Sequence, residues 1–103
     1  EGNPLERLVS RPAGRKLKEE SDMNFGQATD QMNSGNRVQR AGWNGKGMFL
    51  FLICGNAWEF TTDVSDVDEI DTLPFICMKT ADNKLVPWLA SQSDVLADDW
   101  QVV

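Results

Sequence analysis

The longest apolar run in this sequence is short and lies between two glycines. It extends from Met48 to Cys54, seven residues, between Gly47 and Gly55. A run of roughly four to eight apolar residues is typical of a β-strand with both faces buried. It is much shorter than the roughly 18 apolar residues that identify a membrane-spanning helix. The run therefore predicts a fold built on a small sheet, and no membrane partner.

Other short segments accompany this run and predict an α+β domain. Asn24 can cap a helix on which Phe25 and Met32 share one face, and Ser34-Gly35-Asn36 can end that helix. Ser91 can cap a second, shorter helix near the end of the chain. Strand character recurs at 37–40, 57–62, 74–80, 85–88 and 100–103. We expect a small antiparallel sheet of about five strands with a short helix near each end.

Residues 1–22 differ in composition from the rest of the chain. They contain five basic and five acidic residues, two prolines and no aromatic residue, whereas the chain from Met23 onward has five basic and eleven acidic residues. We interpret 1–22 as a flexible leader, either a native extension or a cloning-derived segment. The interpretation leaves 23–103 as a single domain.

The charge balance and the absence of histidine exclude several classes of function. The chain has 10 Lys and Arg against 16 Asp and Glu, a net charge of −6, and no His. Ser-His-Asp and Cys-His nucleophiles cannot be built, and a zinc site would lack its commonest ligand. A negative surface also disfavours binding to DNA or RNA, because affinity there comes largely from neutralising phosphates. We expect no catalytic residues, no metal, no cofactor and no nucleic-acid partner.

Three further polar features favour structural explanations. The run 63–72 holds five carboxylates but lacks the glycine and terminal glutamate of an EF-hand loop, so a solvated loop is favoured over a calcium site. The pair Asp98-Asp99 could form half of a carboxylate metal site for phosphodiester hydrolysis, but nothing else in the chain repeats that arrangement in a way that indicates catalysis. Cys54 and Cys77 lie in apolar segments, where buried free thiols are favoured over a disulfide.

The loop before the long apolar run has a composition suited to binding an anion. It reads GWNGKGM over 42–48. Glycines let backbone N–H groups approach an anion, Lys46 adds a positive charge, and Trp43 offers a ring face on which a base can stack. The Lys-Ser/Thr ending of a P-loop is absent. From the residues alone, a plain hairpin connection with Trp43 in the core stays open.

A second segment, VPWLASQSD at 86–94, places a tryptophan just before a helix start. Trp88 can act as a stacking platform, while Ser91, Gln92 and Asp94 can hydrogen-bond ribose hydroxyls or a base edge. Ser91 and Asp94 are also residues that a helix start commonly uses. A purely structural role for this segment therefore stays open as well.

Three stretches together resemble a known family. MNFGQA at 23–28, RAGWNGKGMFLFL at 40–52 and MKTADNKLVPWLASQSDVLADDW at 78–100 resemble a family of small phage domains associated with the Thoeris anti-defence proteins of the second type. The resemblance implies a homo-oligomer, a dimer of dimers, that sequesters a cyclic ADP-ribose isomer without cleaving it in the cytoplasm of the infected host. Some relatives also sequester cyclic oligonucleotides at a separate site, which makes those a second ligand class.

The resemblance also implies which residues bind the ligand. One tryptophan would stack on adenine, the glycine-loop amides and Lys46 would meet the pyrophosphate, and Asp94 or Gln92 would bind ribose hydroxyls or the adenine amino group. The segment 54–76, with its acidic run, departs most from the family. The alternatives are a nucleotide hydrolase and a ligand-free phage protein-interaction module. The expected ligand-binding residues are Trp43, Asn44, Lys46, Trp88, Ser91, Gln92 and Asp94, with Phe25 and Met48 as apolar walls.

Overall fold

A computed structural model of the chain describes residues 22–43 and 46–103. The described part contains an antiparallel sheet of five strands and two short helices, which confirms the predicted α+β class. The helices are α1 (Phe25–Asn33) and α2 (Gln92–Val95). The strands are β1 (Val38–Arg40), β2 (Phe49–Ile53), β3 (Phe75–Lys79), β4 (Leu85–Pro87) and β5 (Trp100–Val102). Neither described helix is long and apolar enough to cross a membrane.

The sheet has the strand order β4-β3-β2-β1-β5. The long apolar run of the sequence forms the central strand β2, where Leu50 lies opposite Val38 of β1 and Met78 of β3. The start of the described chain is fixed to the edge strand β5. Met23 and Trp100 exchange two backbone hydrogen bonds, with N···O distances of 2.8 and 3.0 Å. The order therefore brings the beginning and the end of the domain together at one edge.

Helix α1 begins and ends at the residues that the sequence indicates. The Asn24 side chain accepts a hydrogen bond from the Gln27 backbone N–H at 2.8 Å, and the Gln27 side chain accepts one from the Asn24 backbone N–H at 2.9 Å. The two bonds form a reciprocal cap for the helix. Gly35 follows the helix with φ of +90°, a conformation that favours glycine. The predicted cap and stop are confirmed.

The two faces of the sheet differ in what covers them. Helix α1 contributes Ala28 and Met32 to a core that also contains Val38, Leu50 and Trp100, and we call this side of the sheet the inner face. Because side chains alternate along a strand, the neighbours of Leu50 point to the opposite, outer face. These neighbours, Phe49 and Phe51, are only half-buried. The expectation of a central strand buried on both faces is therefore wrong for the described chain.

The predicted strand at 57–62 is also absent. Both sides of β2 are already occupied by β1 and β3, so this segment has no place beside the strand that precedes it. It instead forms part of the β2–β3 connection. Asn56 and Thr72 close that connection with hydrogen bonds of 2.8 and 3.0 Å between side chains and backbone N–H groups. The acidic run within it is an exposed loop, as expected.

The two cysteines are both free, but only one is buried. Cys77 lies in the middle of β3 and is buried, whereas Cys54 follows the last residue of β2 and is exposed. The expectation of two buried thiols is wrong for Cys54, because the chain turns away from the sheet at Gly55 and Asn56. Asn56 has a positive φ of 58°, consistent with that turn.

Candidate functional site

The two sequence motifs meet at a cluster of charged side chains at the end of β1. The Arg40 Nη1 atom lies 2.9 Å from Asp94 Oδ1, and its Nε atom lies 2.9 Å from Asp99 Oδ1. The side chains of Arg40 and Asp94 are only 20% and 15% exposed. We call these three residues the Arg40 cluster. Its single guanidinium joins β1 to helix α2 and to the turn before β5.

The same carboxylates hold the start of the glycine-rich loop. The Gly42 backbone N–H donates to Asp99 Oδ2 at 2.9 Å, and the Trp43 indole N–H donates to Asp94 Oδ1 at 3.3 Å. A Cβ atom at position 42 would lie 2.9 Å from Asp99 Oδ2, so any larger residue there would displace the Asp99 side chain from this position. The first motif is therefore attached to the second by hydrogen bonds between distant parts of the chain.

Two of the loop amides expected to meet a pyrophosphate already have protein partners. The Gly42 N–H is bonded to Asp99, and the Trp43 N–H donates to the Arg40 carbonyl at 3.2 Å. Asn44, also predicted to bind ligand, lies outside the described residues. An anion bound at this loop would therefore need hydrogen-bond donors other than the Gly42 and Trp43 backbone N–H groups.

Four aromatic rings pack next to the Arg40 cluster, and three of them contact the fourth, Trp100. Trp100 is 0% exposed. Trp43 and Trp88 both stand edge-on to it, with ring centroids 5.4 and 6.1 Å away, and the Phe25 centroid is 5.5 Å away. Phe25 also contacts Trp88, at 6.1 Å. We call Phe25, Trp43, Trp88 and Trp100 the aromatic cluster.

The structure thus brings three predicted site residues, Phe25, Trp43 and Trp88, together around Trp100. Trp100 is not among the residues predicted to bind ligand. Trp100 fixes their positions and is itself held by its indole N–H, which donates to the Asp94 carbonyl at 2.9 Å. The signal available in the sequence is its place at the end of the stretch 78–100, at the start of a short apolar strand. An aromatic residue in such a strand is a core candidate.

The electrostatics of the Arg40 cluster favour the charged forms of Arg40 and Asp94. Burial acts to raise the pKa of Asp94, but hydrogen bonds from Arg40, Ser91 and Trp43 outweigh burial and lower that pKa below its usual value. The hydrogen bond to Asp99 is the main reason that the pKa of Arg40 is raised, against the opposing effect of burial. Asp94 is therefore ionised at neutral pH and cannot serve as a general acid there.

Ser91 and Gln92 lie at the start of helix α2, next to this cluster. The Ser91 Oγ atom accepts from the Asp94 N–H at 3.1 Å and donates to Asp94 Oδ2 at 2.8 Å. The structural role that the sequence left open for Ser91 is therefore present. Gln92 is exposed on the first turn. Ser91 and Gln92 precede Asp94 by three and two residues, and Arg40 holds the Asp94 carboxylate in place.

Lys46 and Met48 lie at the other end of the glycine-rich loop. Lys46 is exposed and Met48 is half-buried. Within the described residues, no hydrogen bond or ring contact joins either side chain to the aromatic cluster. This end of the loop is held instead by Lys79 of β3, whose Nζ atom donates to the Gly47 carbonyl at 2.9 Å. Gly47 has φ of +77°, a backbone conformation that favours glycine.

The described residues contain no candidate metal site, but they do form an apolar groove away from the Arg40 cluster. No group of three or more His, Cys, Asp or Glu side chains in 22–43 and 46–103 could hold a metal ion. An open groove of about 600 Å3 lies at the ends of β3 and β4. The residues that line it are Trp58, Phe60, Val67, Ile70, Asp71, Thr72, Leu73, Pro74, Phe75 and Pro87. Asp71 is its one ionisable lining residue, so the groove offers no cation for a diphosphate.

Comparison with known proteins agrees with the positions of these motifs. Residues 23–103 match the family model of the Thoeris anti-defense 2-like domain. The chain is also similar to the protein named Thoeris anti-defense 2 from Bacillus phage SP01, with 44% identity over 84 residues, covering 79% of this chain and 94% of that protein. The chain therefore belongs to the Thoeris anti-defense 2-like family, whose role is phage anti-defence.

Proposed function

We propose that this protein sequesters a cyclic ADP-ribose-type nucleotide signal in the cytoplasm of the infected host, without cleaving it, and so keeps the Thoeris effector inactive. The observation that carries the proposal is the aromatic cluster at the Arg40 cluster, where the two sequence motifs meet. A sequestering protein needs affinity and copy number, and it needs no catalytic group. At nanomolar affinity, about −12 kcal/mol, nearly all of a micromolar signal is bound while sites are in excess.

Stacking supplies the first part of that affinity. Trp43 and Trp88 present their edges to Trp100, and both are half-buried, so each ring retains surface that a base can cover. Stacking of one base on an aromatic side chain contributes roughly 1–3 kcal/mol. We assign adenine to one of these two rings, with Phe25 as a neighbouring apolar wall. The rings are already fixed by Trp100, so little side-chain ordering opposes binding.

Polar groups supply the second part. Lys46 is exposed on the loop, and we assign it, with Asn44, to the diphosphate. Gln92 is exposed at the start of α2 and is assigned to the ribose hydroxyls or the adenine amino group, with Ser91 beside it. Asp94 is engaged by Arg40, Trp43 and Ser91, so its main role here is to fix the Trp43 ring. Arg40 offsets only one of the two negative charges of Asp94 and Asp99, so Lys46 is the cation assigned to the anionic ligand.

The same groups argue against hydrolysis. Breaking a glycosidic or phosphodiester bond in the ligand needs a positioned acid and base, or a metal. The chain has no histidine. The carboxylate nearest the tryptophans, Asp94, is held ionised by its lowered pKa. We therefore propose capture of the intact nucleotide over its turnover.

We also propose that the protein associates with itself as a homo-oligomer, a dimer of dimers. Large apolar side chains are more numerous on the surface of the described chain than in its core, where six hydrophobic residues are buried. A domain with so small a core gains stability by covering apolar surface with a second copy.

Titration calorimetry of the full chain with cyclic ADP-ribose isomers tests the binding site. Of Trp43→Ala and Trp88→Ala, the change that removes the ring stacked on adenine should weaken binding by about 5- to 150-fold, the equivalent of one lost stacking contact of roughly 1–3 kcal/mol. Trp58→Ala is the matched control, because Trp58 lies in the apolar groove and outside the aromatic cluster. It should bind as the unmodified chain does.

Two results would contradict the proposal. One is unchanged affinity in a Trp43→Ala, Trp88→Ala double variant whose circular dichroism shows a folded protein. The other is the absence of binding to any isomer, together with no rise in thermal midpoint when nucleotide is added. The second result would favour the ligand-free interaction module.

A further inference from the structure

Arg40 uses only two of the three nitrogens of its guanidinium group. Its Nε atom donates to Asp99 Oδ1 and its Nη1 atom donates to Asp94 Oδ1, both at 2.9 Å. The third nitrogen, Nη2, has no hydrogen-bond partner among the described residues. Because a guanidinium carries N–H donors on all three nitrogens, both donors on Nη2 remain unused. Arg40 therefore has hydrogen-bonding capacity that the fold itself does not take up.

The unused nitrogen reaches the surface although most of the Arg40 side chain is buried. Within 22–43 and 46–103, every buried side-chain nitrogen or oxygen has a hydrogen-bond partner, so the unpaired Nη2 atom must contact solvent. Gly42 leaves it uncovered, since a Cβ atom there would lie against Nη2 at 3.6 Å. The ion pairs to Asp94 and Asp99 fix the plane of the guanidinium. The Nη2 donors are therefore both preoriented and open to a ligand.

The guanidinium lies beside the aromatic cluster. Arg40 Nη1 and the indole N–H of Trp43 donate to the same atom, Asp94 Oδ1, at 2.9 and 3.3 Å. The backbone carbonyl of Asp94 also accepts the indole N–H of Trp100. One aspartate thus joins Arg40 to two of the four rings. A ligand that covers the Trp43 ring would therefore lie next to the Arg40 guanidinium.

The charge of the Arg40 cluster decides what the Nη2 donors can bind. One guanidinium is paired with two carboxylates, so the ionised cluster has a formal charge of −1. A diphosphate brought to Nη2 would be repelled by both carboxylates. A neutral acceptor, such as a ribose oxygen or an adenine ring nitrogen, can accept from the same donors without that repulsion. The cluster is therefore suited to the nucleoside part of a nucleotide.

We propose that Arg40 is a ligand-binding residue, whose Nη2 atom donates to a ribose oxygen or an adenine ring nitrogen of the captured nucleotide. The inference rests on the proposed function and extends it, because it orients the ligand. The base and a ribose lie at the aromatic cluster, and the diphosphate points away from Asp94 and Asp99, toward Lys46. The two aspartates act through Arg40, as positioning residues.

Titration calorimetry of the full chain with cyclic ADP-ribose isomers, at low and at high salt, tests this role. Arg40→Lys should weaken binding by about 10- to 150-fold, because a lysine keeps the charge but has no third nitrogen to donate to the ligand. The fold-loss should be the same at both salt concentrations, because the lost bond is to a neutral acceptor. Lys46→Ala should instead lose less at high salt, because salt screens its pairing with the diphosphate.

Arg37→Lys is the matched control, because Arg37 is exposed and lies over the Phe49 ring, outside both clusters. It should bind as the unmodified chain does, and circular dichroism checks that all variants are folded. Nuclear magnetic resonance of the arginine-labelled, unmodified chain separates direct contact from a structural role. The Arg40 Nη signals should shift when the isomer is added and stay unchanged when inorganic pyrophosphate is added.

The outcomes distinguish this inference from the proposed function. Isomer binding that is equally tight in folded Arg40→Lys protein would overturn the inference alone. So would a fold-loss that shrinks at high salt, or an Arg40 Nη shift with pyrophosphate, since either would place the diphosphate at Arg40. Absence of binding to every isomer by the unmodified chain would instead overturn the proposed function, and the inference with it.

Discussion

Two tryptophans of this domain have the same polar contact in very different surroundings. The Trp100 indole N–H donates to the Asp94 carbonyl at 2.9 Å, and the Trp58 indole N–H donates to the Leu73 carbonyl at 3.0 Å. Trp100 is fully buried among three other rings, whereas Trp58 is half-buried and packs against Phe60 and Phe75 beside an open groove.

The ring at the centre of the first region, Trp100, is covered by its own chain, whereas the groove beside Trp58 stays open. The region around Trp100 contains both sequence motifs, and its Arg40 side chain is paired with Asp94 and Asp99. The region around Trp58 has the apolar content of a core without a second layer to cover it. The first is therefore suited to present a preformed binding site, and the second to bind another protein surface.

The largest expected difference between the regions is in stability. Trp100→Ala should lower the free energy of unfolding by about 3–5 kcal/mol, because it removes a buried ring and leaves a cavity. Trp58→Ala should cost less, about 1–2 kcal/mol, because much of its ring already contacts solvent. Denaturant unfolding at one fixed protein concentration measures both, and equal losses would contradict the contrast.

Breaking the Arg40 cluster should have the next largest effect. Arg40→Ala should cost about 1–3 kcal/mol, because it leaves the partly buried carboxylates of Asp94 and Asp99 without their partner. The matched control is Lys84→Ala, which removes an exposed pair with Asp82 at 3.5 Å. That change should stay within about 0.5 kcal/mol. Urea titrations compare the two variants, and a small effect of Arg40→Ala would show that the cluster does not hold the motifs together.

The smallest effect concerns acid stability. Because the folded-state pKa of Asp94 is lowered, its contribution is complete above the unfolded-state pKa, about 3.9, and is lost as the pH falls through the folded-state value. Unfolding free energies measured from pH 6 down to pH 2 should therefore decline less steeply for Asp94→Asn than for the unmodified chain. The pKa of Asp82 is also lowered, but Asp82 is present in both proteins. Parallel curves would contradict the role assigned to Asp94.

Local signals predicted most of the fold. The capping pair of Asn24 and Gln27, the glycine stop at Gly35 and the Ser91 cap each depend on residues within a few positions, so they can be identified from the sequence. The strand predicted at 57–62 failed because strand pairing is not local. Its apolar residues have strand character, yet the neighbouring positions in the sheet belong to other strands.

The same distinction applies to the candidate site. The sequence indicated Trp43 and Trp88 as binding candidates, but it gave no indication that they meet on Trp100. The bonds from Arg40 to Asp94 and Asp99 join residues 54 and 59 positions apart, beyond the reach of any spacing rule. The motifs could therefore be recognised in the sequence, while the reason that they occur together became visible only in the fold.

Capture of an intact nucleotide is the central claim, and recovery of the ligand tests it most directly. The full chain is incubated with a cyclic ADP-ribose isomer that it binds, separated from free nucleotide, heat-denatured, and the supernatant is analysed by chromatography. We expect the unaltered isomer to be released in proportion to the protein present, and the Trp43→Ala, Trp88→Ala double variant to release little. Cleaved product in molar excess over the protein would contradict sequestration and identify a hydrolase.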